Sequence, residues 1–330
     1  MSGIRICGTG SYLPDNIVAN DDYTRIVDTS DEWIKTRTGI STRHIADGET
    51  TWRMGARAAA RALERAGISG GEVDLLLVTS VSPDFFTPSM SCVIQQEIGA
   101  DGCMCIDLNC ACAAFAYAVD MARRYLATGD VETALVVSAE TLTRITNYED
   151  RGTCVLFGDG AGAVVLRRAE TTYGSFIGAD GHGYGCIYAK HAPRPSPFTH
   201  APLETDGILD QPGGVGCMVM DGRETYKFST RMMAVAVEKA CEKAGVAPGE
   251  LKWIVPHQAN IRIVQTAMKN LGLPMERAYM TIDHTGNTSS ASIPIALDEL
   301  AASGGLARGD KLAFVGFGAG LTYGAVVTEW

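Results

Sequence analysis

Between residues 74 and 139 the chain alternates short apolar runs of β character with alanine-rich runs of helical spacing. Asp74–Ser80, Cys103–Leu108 and Ala134–Ala139 read as buried strands, and Ser89–Ile98 and Cys112–Ala127 read as helices between them. This rhythm predicts an α/β architecture, a parallel or mixed sheet clad with helices. Met1–Gly10 alternates in strand fashion as well. Glycines at 67, 129 and 245 stand where helices would close on a left-handed cap. After Arg168 the rhythm starts again.

The restart repeats the first half in order. Leu75–Ser80 is echoed by Trp253–Pro256, and Ile106-Asp107 ahead of the Cys112 turn by Ile282-Asp283 ahead of the Asn287 turn. Phe157-Gly158-Asp159-Gly160-Ala161-Gly162 is then answered by Phe317-Gly318-Ala319-Gly320-Leu321. Chance likeness of glycine-rich strand ends explains one echo but not three in register. A duplicated unit is expected, 1–170 carrying Cys112 and 171–330 carrying His257 and Asn287, related by a pseudo-twofold axis. Residues 192–216, rich in Pro and Gly, read as a surface excursion or lid.

Composition narrows the class. The chain has 330 residues, 46% hydrophobic and 20% charged, with 37 glycines, which suits a globular body with many tight turns. A net charge of −10 argues against general nucleic-acid binding, so any anionic ligand must be met by a local basic patch. No apolar run approaches the roughly 20 residues that span a bilayer, and no signal peptide is read at the start. Ten cysteines in such a chain point to reduced, cytoplasmic thiols. Cys103, Cys105, Cys110 and Cys112 crowd together, but their spacing lacks the paired gaps of a metal site, and no metal is expected.

The segment Asp107–Phe115 runs from a strand through a small-residue turn into a helix, with Cys112 at the bend. Free N–H groups and the helix dipole there favour thiolate, so a thiol pKa lowered from roughly 8.5 toward neutrality is expected. A packed core cysteine is the alternative. Three later motifs weigh against it: His257-Gln258-Ala259-Asn260, Gly286-Asn287-Thr288-Ser289 and Gly316–Thr322. Backbone N–H groups of Cys112 and Ala319 would form an oxyanion hole. A neutral His257 and the non-titrating Asn287 amide suit an enolate oxygen left by decarboxylation of a malonyl thioester. Read singly, His257 could be a core histidine, Asn260 a helix cap and Asn287 a turn residue. A Gly-x-Ser-x-Gly elbow and a Walker loop are both missing, and Gly158–Gly162 leads into a strand rather than a dinucleotide-binding helix.

With these residues in view, the chain resembles β-ketoacyl-(acyl carrier protein) synthase III, the initiating condensing enzyme of type II fatty-acid synthesis. Thr29–Ile34 with Arg37–Ile40, Asp150–Thr153 and the motifs above carry the resemblance over essentially the whole chain. It implies a thiolase-like five-layered α-β-α-β-α fold from two duplicated halves, a homodimer, and Cys112, His257 and Asn287 as catalytic triad. Acyl-coenzyme A and malonyl-acyl carrier protein would be substrates, with no tightly bound cofactor. Thr29, Trp33, Arg37, Arg151 and Asn260 match coenzyme A positions. Gln258, Ala259, Asn260, Ile261 and Arg262, with Lys227 and Lys269, would meet the acidic carrier protein. Phe157 and Thr87 belong to the primer pocket, Thr87 at the end a second subunit contributes, where acetyl-restricted members resemble one another in having Phe.

Two departures from the family pattern stand out: Ala113-Ala114 after the nucleophile, and Ala319 for a glycine in the last turn. Thr87 leaves room for longer or branched primers such as isobutyryl. The rival readings are a Cys-His-Asn acyltransferase or ketosynthase of polyketide metabolism, and, from another class, a non-catalytic thiolase-fold partner or a thiolate metal-binding protein. A hydroxymethylglutaryl synthase would need a catalytic Glu, for which Glu140 is the candidate, although its place also suits structural hydrogen bonding.

Overall fold

Two sheets, one from each half of the chain, organise the computed structural model, which describes residues 3–191, 197, 198, 207 and 214–330. The first holds β1 (Gly3–Tyr12), β2 (Leu75–Thr79), β3 (Met104–Leu108), β4 (Thr133–Thr141) and β5 (Asp159–Ala169) in the order β1-β5-β4-β2-β3. The second holds β6 (Tyr173–Ala179), β7 (Trp253–Pro256), β8 (Lys311–Gly318) and β9 (Thr322–Glu329) in the order β7-β8-β9-β6. In each, two antiparallel pairings lead into a parallel one, β1-β5-β4-β2 in the first and β6-β9-β8-β7 in the second. A fifth strand in the second sheet is reduced to one parallel bridge, Ile254 to Ala278.

Period-two alternation sorts the side chains into layers. On β2, Leu75 and Leu77 face a central core while Leu76 and Val78 face an outer one. On β8, Leu312 and Phe314 face the same central core, and Ala313 and Val315 face the outside of the second sheet. That central layer is filled by α4 (Ala114–Thr128) and α7 (Ser292–Ala302), with Phe115 set edge-on to Phe314 at 5.7 Å. The first outer layer is α2 (Thr51–Ala66) with α3 (Met90–Ile98), and the second is α5 (Gly222–Ala244) with α6 (Ile261–Asn270). Five layers, α-β-α-β-α, result. The short α1 (Asp31–Thr38), N-capped by Ser30, packs beside α6.

Gly67, Gly129 and Gly245 adopt the left-handed caps expected of them, with φ of 68°, 88° and 69°. One echo differs in form: Ile106-Asp107 lie in β3, whereas Ile282-Asp283 lie in the short helix Ile282–Thr285. The excursion expected over residues 192–216 falls for the most part outside the described residues. It is flanked by a small ribbon, Ile187–Ala189 paired with Met218–Met220.

Two glycines of β8 decide how closely the halves approach. A Cβ on Gly316 would lie 2.7 Å from the Cys112 carbonyl oxygen, and one on Gly318 would lie 2.6 Å from the Cys112 nitrogen. Both neighbours are backbone and have nowhere to go. Gly316→Ala should therefore cost about 1–3 kcal/mol by overpacking, read as a lower urea midpoint, whereas Gly249→Ala, which meets nothing within 4 Å, should leave the midpoint unchanged.

Candidate active site

Parallel strands deliver their C-terminal ends to one place, and there the structure opens a cavity of about 1260 Å³. The turn after β3 brings Cys112, the end of β7 brings His257, the loop after Ile282–Thr285 brings Asn287, and the turn after β8 brings Ala319. All four line the same cavity, as do Phe157, Trp33, Arg37, Arg151 and Asn260.

Cys112 sits in a tight turn, Ala111–Ala113, immediately before α4, with Ala111 held at φ 48°. Its thiol donates to the Ser289 hydroxyl at 3.3 Å. The expected lowering of its pKa is not found. Enclosure among apolar and neutral groups pushes the thiol up to about 12, and the nearby Glu140 charge adds to the rise. Desolvation outweighs the dipole because a helix end contributes about 0.3–1 kcal/mol while burial moves pKa by up to several units.

His257 is 2% exposed, and burial drives its pKa down to about 3, so the ring is neutral at physiological pH. Ser292 Oγ stands 2.8 Å from its Nδ1 and 2.8 Å from the Ser289 carbonyl oxygen, and accepts the Gln258 N–H at 3.3 Å. The Phe317 ring closes the other side edge-on. Asn287 is fixed at both ends. Its N–H donates to the Leu156 carbonyl at 2.9 Å and its carbonyl accepts from Gly158 N at 3.0 Å, while Oδ1 accepts the Ser289 N–H at 2.9 Å. Oδ1 being occupied, the Nδ2 amide is the end left for a ligand.

At the rim, Arg37 and Arg151 each lie 4.9 Å from the Trp33 ring centroid. Arg151 also donates to the Asp28 carbonyl. Asn260 caps α6 through Arg262 N and donates to the Arg37 carbonyl, so the cap and the cavity wall are the same residue. Arg262 and Lys227 line the rim, Lys227 paired with Glu224 at 2.6 Å, and Arg223 joins them. Five cations thus ring the mouth of a chain carrying −10 overall.

Several expected site residues sit elsewhere. Gln258 is 0% exposed, so it is no docking contact: its amide donates to the Pro256 and Tyr279 carbonyls and accepts from Thr281 and Ile282. It brackets the His257 strand to the loop that carries Asn287. Thr29 does not line the cavity, and its hydroxyl is buried. Lys269 is exposed on α6 away from the mouth. Thr87 is exposed and does not line the cavity of its own chain, while Ala259 lines it and Ile261 is partly buried under Gly39. Ala319 keeps an ordinary φ; the positive φ of that turn, 134°, falls on Gly320.

Glu140 is 0% exposed, its carboxylate taken up by Ser82, Ser290 and Ser80 hydroxyls and the Val81 N–H, and burial pushes its pKa up. It does not line the cavity, so it holds loops from both halves together. Among the described residues no group of three or more Cys, His, Asp or Glu could hold a metal, and no cysteine is disulfide-bonded. Also among them, no helix is long and apolar enough to cross a membrane.

Comparison with known proteins gives the family. Residues 106–185 match the family model for 3-oxoacyl-[acyl-carrier-protein] synthase III, and residues 241–330 match the model for its C-terminal part. The β-ketoacyl-[acyl-carrier-protein] synthase III of Clostridium acetobutylicum is 44% identical over 100% of this chain and 99% of its own. The chain belongs to the 3-oxoacyl-[acyl-carrier-protein] synthase III family. The crystal structure of the Aquifex aeolicus synthase III superposes with a TM-score of 0.90 at 40% identity, covering 99% of this chain and 100% of that one. The priming β-ketosynthase of the R1128 polyketide pathway gives a TM-score of 0.88 at 36% identity over 99% and 96%. The fold is accordingly the thiolase-like one, and the synthase III family is one of acyltransferases.

Motif reading singled out neither the Ser292 contact to His257 nor the Ser289 contact to Cys112. Both serines stand in the quoted loop or just after it, and only the folded loop turns them toward the other residues. Because the resting thiol is protonated, alkylation of Cys112 by iodoacetamide, read by peptide mass, should be slow near neutrality and should rise ~tenfold per pH unit from about pH 7 to 9. The exposed Cys92 serves as the internal comparison.

Proposed function

We propose that the chain initiates fatty-acid synthesis by a decarboxylative Claisen condensation in two stages, with Cys112, His257 and Asn287 as the catalytic groups. In the first, the Cys112 sulfur attacks the carbonyl of a short acyl-coenzyme A and the coenzyme leaves. The developing oxyanion is met by the Cys112 and Ala319 N–H groups. Support comes from the Gly318 backbone, which lies against the Cys112 amide.

In the second stage, malonyl carrier protein enters the same cavity and loses carbon dioxide. The resulting carbanion attacks the acyl-enzyme and releases a 3-oxoacyl carrier protein. The negative charge of the enolate falls on the thioester oxygen, where the Asn287 Nδ2 amide donates. His257 donates beside it. At rest the Ser292 hydroxyl donates to the Ser289 carbonyl, 2.8 Å away; turned to Nδ1, also at 2.8 Å, it leaves that carbonyl with the Ser292 N–H, and the neutral ring then carries its own proton on Nε2.

The observation that carries this reading is the convergence of a thiol, a neutral imidazole and a pinned amide on one cavity with a cationic mouth. Trp33 would stack on the adenine, Arg37 and Arg151 would meet phosphates, and Asn260 the pantetheine arm. Arg262 and Lys227, with Arg223, would attract the acidic carrier protein. Residues 1–170 and 171–330 are the two halves of a homodimeric, cytoplasmic enzyme that needs no tightly bound cofactor. Thr87 would close the primer pocket of the second subunit, where its small side chain admits branched primers. The likeness to the R1128 priming ketosynthase keeps one second reading alive, in which the product primes a polyketide.

Intact-protein mass after mixing with acetyl-, isobutyryl- and hexanoyl-coenzyme A should show one acyl adduct on the wild type and none on Cys112→Ala, and malonyl carrier protein should discharge it. His257→Ala and Asn287→Ala should still acylate but discharge slower by on the order of 10²–10³. An adduct that survives in Cys112→Ala would remove the nucleophile assignment; an adduct that malonyl carrier protein leaves in place would remove the condensation.

A further inference from the structure

Resting on the acyl-enzyme reading above, acyl transfer needs a path for one proton. Cys112 begins as a neutral thiol, and coenzyme A departs as a thiolate that must end as a thiol. His257 is poorly suited to the errand, being buried, with a pKa driven down to about 3, and already placed as a donor through Nε2. The thiol points elsewhere: its hydrogen bond goes to the Ser289 hydroxyl at 3.3 Å.

Ser289 is unusual in its backbone as well. It and Ala111 are the two non-glycine residues at positive φ among the described residues, at 50° and 48°, and they flank the reacting sulfur from opposite halves of the chain. Left-handed φ at a non-glycine residue costs free energy and concentrates at functional sites. Here that conformation directs the Ser289 N–H to Asn287 Oδ1 at 2.9 Å, the carbonyl to the Ser292 hydroxyl and amide, and the side chain to Cys112, all within a residue 1% exposed that lines the cavity. A glycine would adopt this φ more easily, yet it would bring no hydroxyl.

We propose that the Ser289 hydroxyl relays the Cys112 proton to the departing coenzyme A sulfur. As the Cys112 sulfur forms its bond to the acyl carbon, the S–H proton passes to Ser289 Oγ. The proton that Oγ already held passes to the coenzyme A sulfur as the acyl carbon–sulfur bond breaks. Serine ends with one proton, as it began, and no charge is left in the cavity. Of the other titratable groups near the thiol, His257 stays neutral, and Glu140 is engaged by Ser80, Ser82, Ser290 and Val81 and also by the Ser289 side chain, so the Oγ proton rests toward Glu140 and turns to the coenzyme A sulfur as that sulfur leaves.

Ser289→Gly and Ser289→Ala separate the hydroxyl from the backbone. Glycine relieves the positive φ, so its urea midpoint should equal or exceed that of the wild type. Both variants should acylate Cys112 in single turnovers ~10²–10⁴-fold more slowly than wild type, the range of a lost proton-transfer group. Their acylation rate should also climb ~tenfold per pH unit from about pH 7 to 9, because the thiolate must then form in advance, while the wild-type rate stays flat. Acylation by both variants at the wild-type rate with a flat profile would overturn the relay. Acyl mass appearing on Cys112→Ala would instead overturn the acyl-enzyme itself, whatever the serine variants do.

Discussion

Everything at the centre of this molecule depends on two backbones being allowed to touch across the seam between the halves. Gly316 and Gly318 of β8 let the second half lie against the Cys112 turn of the first. Leu156 and Gly158 of the first half pair with Asn287 of the second, and a Cβ on Gly158 would lie 2.3 Å from the Thr285 carbonyl. The Phe-Gly pair that recurs at 157-158 and 317-318 thus has one job done twice. Each copy is the surface against which the other half's functional turn is set. Close-packed backbone transmits position with little slack, which suits donors that must aim at one oxygen atom.

Electrostatically the site is divided by depth. The floor is buried and neutral: a thiol pushed up to about 12, an imidazole driven down to about 3, and an amide that never titrates. The rim carries Arg37, Arg151, Arg223, Lys227 and Arg262 in an otherwise acidic chain. On the mechanism proposed above, an anionic ligand would be attracted at the mouth by long-range charge, and its thioester would then meet fixed dipoles in a low-dielectric interior where each is worth more than in water. The buried serines and Gln258 offset part of the cost of this floor through the hydrogen bonds they make to it. Glu140 shows the same economy: a lone buried carboxylate is costly, and four donors from two loops offset it.

The strands, the helix caps and the candidate site residues were legible along the chain because each is signalled locally, whereas the five layers followed from the family resemblance. Strands and helices announce themselves by period, caps by glycine, and Cys112, His257 and Asn287 by short motifs in matched halves. Gln258 misled for an equally local reason: it sits between His257 and the rim residue Asn260, yet its side chain turns inward to four backbone partners. Thr29 is read from the resemblance of the Thr29–Ile34 segment and Lys269 as a cation joining Arg262 and Lys227, and neither lines the cavity.

By itself, then, the sequence determined the α/β class, which follows from periodicity, and the family, which follows from its motifs taken together; it also named Cys112, His257 and Asn287 as the candidate reacting side chains. What tertiary structure alone decided is the state of those side chains. The thiol is protonated rather than ionised, the histidine is neutral with Ser292 behind it, and Ser289 faces Cys112 from 177 positions away in the chain. The reason is that desolvation and hydrogen-bond partnership are properties of enclosure, and enclosure is made by residues far apart in sequence.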